Sequence, residues 1–174
     1  GKALFEPDTG KAYRMAGSMT DISLRKHVEA QLQHDSLHDG LTGLANRALF
    51  SDFVATALDA THSHSGDLCA VVCFNLERFR LVNDSFGYPV GDALLKETAQ
   101  RLQQHRRPGD VIARFNGDEF AVLLDHLADS AAGIRYAEQL LQAINRPVTV
   151  DGHELYPNAR LGIAFSTPGL QQAV

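Results

Sequence analysis

The sequence predicts an α+β domain: a ferredoxin-like or palm-type sheet with antiparallel pairing, flanked by helices on one face and preceded by a connector helix. Three observations predict it. Leu68 to Phe74 is an unbroken apolar run, short enough to be a buried strand. Val111 to Leu124 sets the pair Asn116-Gly117 between two apolar, β-favouring stretches, which reads as a hairpin with a two-residue type I′ turn. Helical patterns from Asp92 to about Gln104 and from Ser130 to Ile144 alternate with these strands, and Leu161 to Phe165 supplies a last one. The order strand, helix, hairpin, helix, strand is that of such a sheet.

Taken in chain order, residues 1 to 22 hold short β-like pieces and turn signals (Pro7-Asp8-Thr9-Gly10, Gly17-Ser18), too brief to close a core. They read as the tail of another domain. Over 23–37, Leu24, Val28 and Leu32 recur at helical spacing, with Asp21 or Ser23 available as N-cap. This connector either packs on the domain C-terminal to it or continues a two-stranded coiled coil from upstream. The remaining domain, 38–174, begins with a turn-rich stretch from His38 to Arg47 and a helix from Ala48 to Leu58. Between the buried strand and the Asp92 helix, Phe79 and Val82 share a helical face and Gly87 to Gly91 reads as a loop. Val148 to Val150 and Leu155 to Tyr156 suggest short edge strands around Asp151-Gly152.

Composition narrows the function classes. The chain of 174 residues can hold one domain with a real core plus an appendage. With 44% hydrophobic residues and no apolar run near the roughly 20 that a membrane helix needs, no membrane segment and no signal peptide are expected, and a cytoplasmic location follows. A net charge of −5 argues against a nucleic-acid partner, which would need clustered Lys and Arg. Cys69 and Cys73 fall in the buried-strand run and read as core thiols. The eight histidines are scattered without metal-site spacing.

The densest chemistry is Asp118-Glu119 at the mouth of the Asn116-Gly117 hairpin. Such a pair is either a solvated turn or a collector of a hard divalent cation, which prefers carboxylate oxygens. In the predicted sheet, the end of the Leu68 to Phe74 strand lies beside this hairpin tip, so groups near Asn75 can reach the pair. Phosphoryl transfer on a nucleotide needs Mg²⁺ at such a corner to neutralise triphosphate oxygens.

Four ordered segments then resemble a known family: Asp39 to Arg47 (DGLTGLANR), Asn75 to Asp84 (NLERFRLVND), Gly87 to Asp92 (GYPVGD) and Arg114 to Phe120 (RFNGDEF). Together they are similar to the GGDEF domain of diguanylate cyclases, which condense two GTP into cyclic di-GMP across a dimer of facing domains. The resemblance implies Asp118 and Glu119 as catalytic residues. It implies a Mg²⁺ or Mn²⁺ held by Asp118, the Asn75 position and the Leu76 carbonyl. It places Asn83 and Asp92 on the guanine base, and Phe79, Arg80 and Gly117 on the nucleotide phosphates. Asn and Asp are chemically suited to a guanine edge, because the amide both donates and accepts while the carboxylate accepts from N–H groups.

The resemblance implies a second, inhibitory product site at Arg107 and Asp110. Arg can grip a phosphate or a guanine edge in two-pronged fashion, although Pro108-Gly109-Asp110 also reads as an ordinary turn. The stretch Gly17 to Lys26 resembles the end of a PAS sensor domain, and the segments around Arg78 and Asn83 resemble GGDEF domains that precede an EAL phosphodiesterase domain. The implied partners are GTP, cyclic di-GMP and a second copy of the chain.

The departures from the family pattern shape the functional expectation. Asn116 stands for the first glycine, Asn75 for a metal-binding aspartate, Glu77 for another aspartate, Arg80 for the usual Lys and Tyr88 for a His. The domain is also expected to be incomplete at its C-terminus, short of the helix carrying the family's phosphate-clamping Lys and Arg. A neutral amide is a weaker Mg²⁺ ligand than a carboxylate, so phosphoryl transfer should be slowed. Three readings are open: a degenerate nucleotide-binding regulator, an active cyclase, or a dimerisation module that binds no nucleotide.

Overall fold

The computed structural model describes residues 2–5, 12–16, 36–63 and 68–166. The chain divides into two compact units, Gly1–His34 and Asp35–Val174. In the first, β1 (Lys2–Phe5) and β2 (Ala12–Ala16) pair antiparallel. The expected connector helix lies outside the described residues apart from positions 36 and 37, which are helical, and the expected C-terminal truncation concerns residues outside them as well.

The second unit opens with the Asp39 turn and α1 (Arg47–Ser63), whose start is capped by Asn46 Oδ1 accepting from the Leu49 amide at 3.0 Å. Strand β3 (Leu68–Leu76) follows, then α2 (Phe79–Phe86), α3 (Tyr88–Gln104), β4 (Val111–Arg114) and β5 (Glu119–Leu127). The chain continues through α4 (Ser130–Ile144), β6 (Val148–Val150), β7 (His153–Leu155) and β8 (Ala159–Phe165). The main sheet has the order β4-β5-β3-β8 with every pair antiparallel. Such an order arises when two strand–helix–strand crossovers interleave, each inserting a strand of the other between its own pair.

Both faces of the sheet are covered, whereas the sequence suggested helices on one face. Val72, Phe74, Phe120, Val122 and Leu124 face Leu95, Leu102, Leu140 and Ile144 of α3 and α4. On the opposite face Cys69, Ala121 and Leu123 pack under Phe50 and Ala57 of α1. A strand that is apolar at consecutive positions has to be covered on both sides. Coverage by α1 does not reach the far end of β3, so Cys73 is exposed while Cys69 is buried. The expectation of two core thiols is therefore corrected for Cys73.

Two local readings also change. Gly87 to Gly91 is not a loop: α3 starts at Tyr88, and Gly87 alone, at φ 87°, separates it from α2. Pro89 in the first helical turn is the reason, since it lacks the N–H that would be unsatisfied there. The two-residue turn with both residues at positive φ occurs between β6 and β7, at Asp151 (47°) and Gly152 (80°), which form a separate hairpin resting on Val90 and Leu94 of α3.

Close approach of α4 to the sheet depends on Gly133, where a Cβ would lie 2.8 Å from the Phe165 ring and 3.0 Å from Leu127. The C-terminal carbonyls of the same helix are capped from α3. Arg101 donates to the Ile144 carbonyl at 3.0 Å, to the Pro147 carbonyl at 3.0 Å and to that of Arg146, while its Nε meets Glu97 at 2.8 Å. A guanidinium at a helix C-terminus satisfies orphan carbonyls and the dipole together.

Candidate active site

The end of β3 and the start of β5 form one corner. Asn75 sits opposite Glu119 in the ladder, and the Leu76 amide donates to the Asp118 carbonyl at 3.2 Å. The intervening loop is closed by the Glu119 amide donating to the Asn116 carbonyl at 2.8 Å, and Gly117, at φ 48°, is the loop's positive-φ residue. The type I′ turn expected with Asn116 and Gly117 both at positive φ is thus corrected: the central pair is Gly117-Asp118, and Asn116 keeps an ordinary backbone conformation. Its replacement of glycine costs the loop no left-handed strain.

Arg114 holds this loop. Its Nε and Nη2 donate to the Gly117 carbonyl at 2.9 and 2.8 Å, and its Nη1 donates to Asp39 at 2.9 and 3.1 Å. Asp39 in turn accepts from the amide and hydroxyl of Thr42 at 2.9 and 2.6 Å. Burial works to raise the Asp39 carboxyl, but the hydrogen bonds from Thr42 and Arg114 outweigh it and hold the group below its usual range. Arg47 lies over the Phe115 ring at 4.4 Å and 3.8 Å from Glu119 Oε2.

The donor set suits a hard cation only in part. Asp118 would supply one carboxylate, Asn75 an amide oxygen and Leu76 a backbone carbonyl, and no group of three His, Cys, Asp or Glu residues able to hold a metal occurs among the described residues. Mg²⁺ commonly takes one or two carboxylates and completes its shell with waters and substrate phosphates, so these groups fit an ion that arrives with a nucleotide. Glu77 does not join them. Its carboxylate is held by Asn158 and by Arg160 of β8, and its amide donates to the Asn158 carbonyl at 2.7 Å.

Beside the corner, Arg78 adopts φ 58°, ψ 22°, and α2 starts directly after it. The first amides of a helix have no partner within it, so those of Phe79 and Arg80 form a ready anion cradle. The Arg80 side chain points to the surface, 3.8 Å from Asp84. Asn83, one turn on, buries its Oδ1 without a hydrogen-bond partner among the described residues. Phe79 and Gly91 adjoin it, and Asp92 is exposed next in the chain. Sequence reasoning named Asn83 and Asp92 as site residues and did not name Gly91 as one. The one available signal was a glycine inside a helical pattern.

Arg107 and Asp110 meet each other. The Asp110 carboxylate is buried and accepts from Arg107 Nε (3.0 Å), Arg107 Nη2 (2.9 Å), the Arg107 amide (3.2 Å) and the Asp125 amide (3.3 Å). The guanidinium lies 4.3 Å over the Tyr136 ring, whose hydroxyl donates to the His105 carbonyl. Burial and the Asp110 charge push the Tyr136 hydroxyl pKa up to about 12. A cavity of about 370 Å³ opens on α2 between Glu77 and Asn158; Leu76, Arg78 and Phe79 line it together with Leu81, Leu155 and Tyr156. Asn83, Asp92 and Asp118 are not among the residues that line it.

An interleaved four-stranded antiparallel sheet with a carboxylate-tipped hairpin beside a helix start is a palm-like α+β domain. The family described as "Diguanylate cyclase, GGDEF domain" matches residues 36–174, and the chain belongs to it. It is 38% identical over 137 residues to the diguanylate cyclase TpbB of Pseudomonas aeruginosa, covering 78% of this chain and 31% of that protein. It is 37% identical over 149 residues to an uncharacterized signaling protein of Caulobacter vibrioides, covering 85% of this chain and 18% of that protein. The crystal structure of a sensory box/GGDEF family protein from Caulobacter crescentus superimposes with a TM-score of 0.71 at 40% identity, over 74% of this chain and 83% of the other. The chain thus spans less than a third of the length of these two curated relatives. No helix among the described residues is long and apolar enough to cross a membrane.

Proposed function

We propose that this GGDEF domain binds a guanine nucleotide, with a Mg²⁺ or Mn²⁺ accompanying the phosphates, and turns it over weakly or not at all, acting as a regulatory module for an attached output domain. The observation that carries the reading is the neutral Asn75 at the corner with Asp118, alongside the buried, unpartnered Oδ1 of Asn83. One site keeps a buried polar group with no partner among the described residues, and the other lacks a charge that phosphoryl transfer depends on. In this reading Asp118, the Asn75 amide and the Leu76 carbonyl would hold the ion. The ion supplies charge neutralisation at the phosphates. The amides of Phe79 and Arg80 and the backbone at Gly117 receive phosphate oxygens, and Asn83 and Asp92 meet the base.

The domain, in the same proposal, sits between a PAS-type sensor upstream and an EAL domain downstream, as a homodimer through the hairpin face or the connector. The share of its relatives' length that the chain spans supports a longer protein. A second reading, an active cyclase, is favoured by the intact Asp118-Glu119 pair and by the name of the relative TpbB. Incubating the chain with GTP and Mg²⁺ or Mn²⁺, with calorimetry for binding and chromatography for product, separates them. Saturable GTP binding with little cyclic di-GMP is expected. Rapid cyclic di-GMP formation would hand the site to the second reading, and silence for both GTP and cyclic di-GMP would reduce the domain to a dimerisation module.

A further inference from the structure

Gly91 lies inside α3, in its first turn, at a position where an alanine would ordinarily be the better helix former. Its backbone is plainly helical, with its amide donating to the Gly87 carbonyl at 3.3 Å, so no unusual φ demands glycine there. What the position lacks is room. A Cβ built on Gly91 would fall 1.9 Å from Asn83 Oδ1, 3.0 Å from its Cγ and 3.3 Å from the Phe79 ring. The carboxamide of Asn83 therefore occupies the space that any side chain at 91 would fill. That same Oδ1 is buried and accepts no hydrogen bond among the described residues, an arrangement that is costly unless a donor is supplied.

We infer that Gly91 is a positioning residue for base recognition: its missing side chain leaves the space in which the Asn83 carboxamide packs beside Phe79, and so sets the place of the side chain that meets the base. The inference rests on the nucleotide reading proposed above and adds to it the residue through which Asn83 is placed. A substituent at 91 meets the far end of a flexible side chain and not backbone, so the domain can keep its fold by swinging Asn83 aside. Stability and recognition then separate. Gly91→Ala gains a residue with better helix propensity and displaces the Asn83 carboxamide, the opposite pairing from a position retained for packing alone.

The test is a double-mutant cycle on the full chain, reading GTP affinity by calorimetry and Tm by calorimetric scanning for the wild type, Gly91→Ala, Asn83→Ala and the double variant. Gly91→Ala is expected to weaken GTP binding about tenfold or more, the scale of one lost base-edge contact, with Tm equal to or above the wild type. In the Asn83→Ala background the same substitution is expected to cost no further affinity. Undiminished GTP binding by Gly91→Ala overturns the inference, as does an equal loss with Asn83 already removed or a folding failure of both Gly91 variants. A wild-type chain that binds no GTP overturns the nucleotide reading itself and this inference with it, an outcome distinct from the others.

Discussion

Arg114 and Asp39, from different sequence motifs, form a two-pronged ion pair at 2.9 and 3.1 Å, and the rest of the same guanidinium grips the Gly117 carbonyl. The pair is mostly shielded, with 11% of the Arg114 side chain and 22% of that of Asp39 exposed. It fastens the turn before α1 to the hairpin that carries Asp118 and Glu119. The acidic loop is positioned by residues that need not touch any ligand.

Asp39→Asn should therefore destabilise the domain by about 2 kcal/mol, the scale of a charge-assisted hydrogen-bond pair. Because the folded carboxyl is held below its ordinary value of 3.8, the contribution is present above that value and is lost as pH falls through the lower folded one. Urea midpoints measured from about pH 6 down to about pH 2 should fall less steeply in Asp39→Asn than in the wild type. An unchanged acid slope would contradict this.

Arg101 ties α3 to the carbonyl end of α4 through Ile144, Arg146 and Pro147. Arg101→Ala should cost about 2 kcal/mol in chemical denaturation, since it leaves several carbonyls without a donor. Arg101→Lys should recover only part of this loss, because one ammonium cannot reproduce the fork.

Arg107→Ala removes the partner of a carboxylate buried among four donors, and stability should drop by about 3 kcal/mol. A purely ligand-facing arginine would lose nothing in the absence of ligand. Thermal scans without and with cyclic di-GMP separate the two contributions, and an unchanged ligand-free Tm would show that the pair carries no structural load.

Asn75→Asp places a carboxylate at the β3 end of the corner, opposite Glu119 and beside Asp118. Mn²⁺ affinity in the presence of GTP and the rate of cyclic di-GMP formation should both rise, the rate by about tenfold or more. Adding Asp118→Ala to that variant should remove the gain. If Asn75→Asp binds Mn²⁺ no better than the wild type, the missing charge is not what limits the site.

Much of the fold was legible because period and length speak directly. The apolar run at Leu68 to Phe74 reads as a buried strand and lies within β3, and Ser130 to Ile144 is helical over the full range expected, with Asp129 as its N-cap. The turn at Asn116-Gly117 was misread for a physical reason: the dipeptide permits positive φ at both residues but does not impose it. In the fold the turn lies one residue further on, with the Gly117 carbonyl held by Arg114. Glu77 was likewise legible as a departure, but its engagement with Asn158 and Arg160 required the pairing of β3 with β8.

By itself, then, the sequence determined the α+β class, the order of elements and the family, because these depend on residue type, spacing and local propensity. The tertiary structure alone decided which polar groups face one another: Asn75 with Glu119, Asp39 with Arg114, and Asn83 in the space left by Gly91. Those relations join residues from different elements. Strand pairing, a turn-to-strand ion pair and the packing of α2 on α3 fix them, and no periodicity along the chain encodes these.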